Sequence, residues 1–143
     1  MQVVFFHNAD RFFKAKAKKN IKAVISNIFL AEGKTLSRAD YIFCSDDYLL
    51  QINKNFLQHD FFTDIITFPL SESGQPVIAE IYISLDRIKE NAAYLGTSFI
   101  NETFRVLCHG ALHLCGYADK TKKQQIQMRA KEDFYINLFH VKQ

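Results

Sequence analysis

A chain of 143 residues is long enough to bury one sizeable core and too short for two domains of ordinary size. Hydrophobic residues make up 48% and charged residues 23%, a balance that excludes a disordered or low-complexity protein. The net charge of +3 suits a nucleic-acid partner without demanding one, and three cysteines with no secretion signal point to reduced thiols and a cytoplasmic protein.

"VVFF" (3–6) reads as a short strand. Asn8 or Asp10 then caps a helix expected over 11–31, with Phe13, Ala17, Ile21, Val24 and Ile28 as its apolar stripe and Gly33 as its stop. "DYIFCS" (40–45) has strand composition, and Ser45 caps a helix whose first turn carries Asp46 and Asp47, where the dipole favours them. "DIITFP" (64–69) and "VIAEIYIS" (77–84) are strands joined by the turn "SESGQP", so a hairpin is predicted. Ser84 caps a helix that Gly96 closes. Ile100, Phe104, Leu107, Ala111 and Leu114 then mark a helix over 98–115 that Gly116 ends. A last helix starts near Thr121, with Ile126, Ala130, Phe134 and Leu138 as its expected inner face. No apolar run approaches the roughly 20 residues of a membrane span, so no membrane partner is expected. The prediction is a single α+β domain spanning 1–143: a small mixed sheet packed with four to five helices, and a metal site at the C-terminal end of a central helix.

That metal site rests on "HGALHLCGYAD" (109–119). His109 and His113, four apart on a helix, present both imidazoles on one face. Gly116 lets the chain turn back, and Asp119 returns toward the histidines. Two nitrogens and one carboxylate suit one Zn²⁺ per chain with a fourth position left open, the catalytic rather than the structural pattern. Cys108 and Cys115 step off to other sides of the helix and read as core residues. The spacing is also that of metzincin peptidases, but those carry Glu directly after the first His, and this chain has Gly110.

The stretch resembles the H-G-x-L-H-L-x-G-Y-D-H signature of the YbeY family of bacterial rRNA maturation endoribonucleases. "INKNFLQHDFFTDIITFP" (52–69), "AEIYIS" (79–84) and "MRAKE" (128–132) are similar to further motifs of that family. The resemblance implies a zinc-dependent endoribonuclease that cuts single-stranded RNA, with a role in small-subunit (16S) rRNA maturation and ribosome quality control. The small ribosomal subunit is the implied partner, and no DNA partner is expected. Two positions depart from the family pattern. Asp119 stands where the third ligand is usually His, and Leu57 stands where an Arg is usual.

Zn²⁺ activates water or polarises a phosphoryl oxygen, and either route needs a proton acceptor. Glu102, seven residues before His109 on about the same helix face, Asp64, which matches the family's T-D, and Glu80, on the strand 77–84, are the candidates. Arg105, one turn before His109, is placed to replace the missing Arg. Lys120, Lys122 and Lys123 follow the motif and are candidate RNA contacts, and "KAKAKK" (14–19) adds a second basic stretch. A second reading is a ribosome-assembly binding factor with a structural zinc and weak catalysis. A small metallopeptidase is a third.

Overall fold

The computed structural model describes residues 2–142, with side chains through Phe139. The order of elements is β1 (Val4–Asn8), α1 (Lys18–Ala31), β2 (Leu36–Cys44), α2 (Asp46–Leu57), β3 (Ile65–Pro69), β4 (Val77–Ser84), α3 (Leu85–Leu95), α4 (Phe99–Leu114) and α5 (Lys122–Lys142). One four-stranded sheet runs β1-β2-β4-β3. β1, β2 and β4 are mutually parallel, and β3 returns antiparallel to β4 as the predicted hairpin. The fold is therefore α+β with a mixed sheet, as expected. Pro69 ends an edge strand, where a missing N–H costs no ladder bond.

The main core lies between the sheet and the helices α1, α4 and α5. Tyr41, Phe43, Ile81 and Ile83 of the sheet meet Phe104, Leu107, Ala111 and Leu112 of α4 there. Helix α4 sits close to the strands because residue 110 is glycine: a Cβ there would stand 2.7 Å from Ile65 Cδ1. The other sheet face carries a smaller cluster, with Leu49 against Cys44 and Ile66. Three helix starts follow the local code. Ser45, Ser84 and Ser98 accept from the backbone N–H of Tyr48, Arg87 and Asn101.

Two expectations fail. The first helix begins at Lys18, not 11, and has no side-chain cap. The polar groups expected to cap it are used elsewhere: Asn8 Oδ1 accepts from Phe13 N at 3.1 Å, and Asp10 accepts from Ser45 N and Oγ at 2.8 and 2.6 Å. Phe13 is buried as predicted, but from a loop. The second failure is the inner face of α5. Ile126, Phe134 and Leu138 point outward, and Met128, Glu132, Tyr135, Ile136 and Phe139 are buried instead. A charged residue and a phenol sit in the buried stripe, so counting apolar residues alone selects the wrong face.

Candidate metal centre and cleft

Helix α4 places His109 and His113 with ring centroids 6.5 Å apart and planes within 6° of parallel. Gly116, at φ 108°, turns the chain at the helix end, a conformation a side chain would disfavour. Asp119 then comes back so that its Oδ2 lies 3.2 Å from His109 Nε2. His109, His113 and Asp119 together line a hollow of about 240 Å³, shared with Thr63, Asp64, Ile65 and Thr67.

Both imidazoles are oriented through their other nitrogen. His109 Nδ1–H donates to Glu132 Oε2 at 2.7 Å, and His113 Nδ1–H donates to the Tyr117 carbonyl at 3.0 Å. Each bond directs Nε2 to the side where an ion would bind, an arrangement common to ligating histidines. The donor chemistry thus fits Zn²⁺. The three side chains are gathered but not closed: among the described residues, no group of three His, Cys, Asp or Glu stands ready at metal-holding distance. The Glu132 hydrogen bond, with its charge and that of Asp119, holds the His109 pKa above its ordinary value. Metal uptake there would release a proton.

Tyr117, whose carbonyl fixes His113, is itself anchored. Its hydroxyl donates to Glu32 Oε1 at 2.6 Å, and Glu32 also accepts from Tyr135 Oη at 2.6 Å and Lys131 Nζ at 3.2 Å. Burial raises the Glu32 pKa, but these hydrogen bonds outweigh it and leave the carboxyl below its ordinary value.

A larger cleft of about 450 Å³ adjoins the hollow, walled by Asp64, Glu102, Arg105, His109, Arg129 and Glu132 among others. Glu102 is buried, with Oε1 lacking any hydrogen-bond partner among the described residues, and Asp64 is half-buried. Burial raises both carboxyls above their ordinary values. Glu102 and Asp64 therefore share this cleft with two of the predicted ligands, His109 and Asp119; His113 lines the adjoining hollow, which Asp64 reaches and Glu102 does not. Arg105 lines it too, but its guanidinium is bound to Glu132 at 3.1 Å and Asp133 at 2.9 Å. Lys120, Lys122 and Lys123 are exposed just beyond Asp119 and do not line the cleft; Arg129, which the sequence reading passed over, does. Cys108 and Cys115 are buried in the core as expected, and burial pushes the Cys115 thiol up to about 11. The sequence reading also missed what Glu132 and Glu32 hold. A carboxylate in the middle of an otherwise apolar helical stripe, as at 128–132–135–139, was the available signal for Glu132.

The chain is similar to known proteins along most of its length. The sequence model of the family described as Endoribonuclease YbeY matches residues 5–140. The Endoribonuclease YbeY of Cytophaga hutchinsonii is 43% identical over 137 residues, covering 96% of each chain. That of Flavobacterium psychrophilum is 46% identical over 119 residues, covering 83% of this chain and 84% of the relative. The solution structure of TM1509 from Thermotoga maritima superposes with a TM-score of 0.69 at 28% identity, covering 96% of this chain and 89% of that one. A parallel three-stranded core with one antiparallel edge, a central helix whose end opens H-x-x-x-H-x-x-G-x-x-D and these relatives lead to one conclusion: the chain belongs to the YbeY endoribonuclease family.

Proposed function

We propose that this chain is a zinc-dependent endoribonuclease that cuts single-stranded RNA in the cytoplasm during maturation of small-subunit (16S) rRNA, and that it serves ribosome quality control. The observation that carries the metal is the pair of Nδ1 hydrogen bonds, which leave Nε2 of His109 and of His113 facing one hollow with Asp119. These three residues would hold one Zn²⁺, which when bound supplies Lewis-acid chemistry at the phosphodiester. Glu102, at the wall of the cleft, is the proton acceptor, and burial, which raises its pKa, makes it a stronger base than an exposed carboxylate. Asp64 is the second acceptor in the same cleft. Arg105 keeps positive charge at the cleft wall, held there by Glu132 and Asp133. Lys120, Lys122 and Lys123 meet the phosphates beyond the site. The rRNA role rests on the family to which the chain belongs.

Leu57 favours a second reading, a ribosome-assembly binding factor of weak catalysis, because an apolar side chain cannot contact phosphate as the family's Arg can. The peptidase reading has no support at residue 110, where even a Cβ crowds Ile65. The test is cleavage of a single-stranded RNA by metal-quantified protein, wild type beside His113→Ala. About one zinc per chain, with cleavage lost in the variant, is the expected result. Equal residual cleavage in both proteins would reject the nuclease and leave the binding factor.

A further inference from the structure

Between α2 and β3 the chain exposes large apolar side chains in quick succession: Phe56 is 71% exposed, Phe61 56% and Phe62 49%. They contribute little to either core cluster, so the fold does not account for them. The backbone beneath them is nonetheless held. Buried Asn53 donates from Nδ2 to the Phe61 carbonyl at 2.9 Å, His59 N–H donates to the Asn53 carbonyl at 3.1 Å, and Lys54 pairs with Asp60 at 3.3 Å. The rings of His59 and Phe61 are stacked, 5.1 Å apart and within 20° of parallel, and the Arg87 guanidinium lies 5.1 Å from the Phe62 ring centre. The loop runs directly into Thr63 and Asp64, which line the hollow with His109 and His113.

We propose that this loop, through the His59–Phe61 stack and the adjoining Phe62, is a platform on which unpaired bases of single-stranded RNA stack beside the cleavage site. The inference rests on the RNA-cleaving reading above. RNA is the occupant for three reasons. The platform leads along the chain into Thr63 and Asp64, which line the hollow, in a chain of an endoribonuclease family. A near-parallel ring pair is extended by another planar ring, which an unpaired base supplies. The aromatic residues alternate with polar Gln58 and Asp60 and sit beside cationic Lys54 and Arg87, as a base-and-phosphate polymer needs and an apolar protein groove does not.

The test measures binding of two fluorescent probes to zinc-loaded protein: a single-stranded oligoribonucleotide and an abasic oligomer of the same length. Phe61→Ala and Phe62→Ala should each weaken the first by about 5- to 150-fold, the range for one stacked base, and leave the second unchanged. Phe61→Trp should restore it. Circular dichroism and a thermal melt establish that each variant is folded. Unchanged RNA affinity in folded alanine variants, with RNA cleavage intact in the wild type, overturns the platform alone. Unchanged RNA affinity with lost association to the small ribosomal subunit overturns it in favour of a protein-docking surface. A wild type that neither binds nor cleaves RNA overturns the platform together with the reading beneath it.

Discussion

Replacing Glu132 by Gln isolates the bond that orients His109. The carboxylate accepts twice, at Oε2 from His109 Nδ1 at 2.7 Å and at Oε1 from Arg105 at 3.1 Å. An amide has one acceptor oxygen. If that oxygen faces His109, the NH₂ confronts the Arg105 guanidinium; if it faces Arg105, the imidazole loses its acceptor. An NH₂ donor set against a full positive charge is the costlier arrangement, so the oxygen turns to Arg105 and the deficit falls on His109. Loss of such a supporting bond costs about 10- to 100-fold in metal affinity, or about 1.4–2.8 kcal/mol at about 1.4 kcal/mol per decade. The assay is zinc competition against a chromophoric chelator, wild type beside Glu132→Gln, with Asp133→Asn as control. Asp133 is more than half exposed and touches only Arg105 in this cluster, so its variant should bind zinc as the wild type does. Equal zinc affinity for Glu132→Gln and wild type, with both folded, would refute the claim that Glu132 sets up His109 as a ligand.

Glu32→Gln should act at a greater distance. It weakens the acceptor for Tyr117, Tyr135 and Lys131 and should lower stability by about 1–3 kcal/mol, with a smaller loss of zinc affinity through Tyr117 and His113; urea denaturation and the same zinc titration read both effects, and an unchanged midpoint would refute it. Gly110→Ala should change stability by less than about 1 kcal/mol, because gained helix propensity offsets a shift of the mobile end of Ile65. Gly110→Glu should instead cost about 3 kcal/mol or more by overpacking and should create no peptidase; a variant with wild-type thermal stability would contradict the packing argument. Asp40 gives a pH test. Hydrogen bonds from Arg38 lead, burial opposes them and His7 adds to them, so the folded carboxyl titrates below its ordinary 3.8. A depressed folded pKa means stability present above that value and lost as pH falls through the folded one. Asp40→Asn should therefore be less stable at pH 6 and show a flatter decline below pH 4, measured as urea midpoints; parallel pH curves for the two proteins would argue against the assignment.

The parts of the fold legible in the sequence are those specified within a few residues. The serine caps at 45 and 84 and the glycine stop at 96 act on their own helix ends, and the strand at 77–84 has the expected bounds. His109 and His113 belong to this class because a helix makes neighbours of residues four apart, so their shared face needed no tertiary information. What escaped is set by partners far along the chain. The first helix starts late because Asp10 is bound to Ser45, 35 residues away, and only the pairing of β1 with β2 brings them together. The inner face of α5 was misread because Glu132 and Tyr135 are buried with their polar atoms satisfied by His109 and Arg105 on α4 and by Glu32 just past the end of α1. The same partnership corrects the fold and supplies the site. A carboxylate is tolerated in that core because it meets an imidazole and a guanidinium, and the imidazole is directed toward the metal position because the carboxylate is buried there. The misread face of α5 and the missing support for His109 are therefore one error, and the Glu132→Gln titration tests the correction to both.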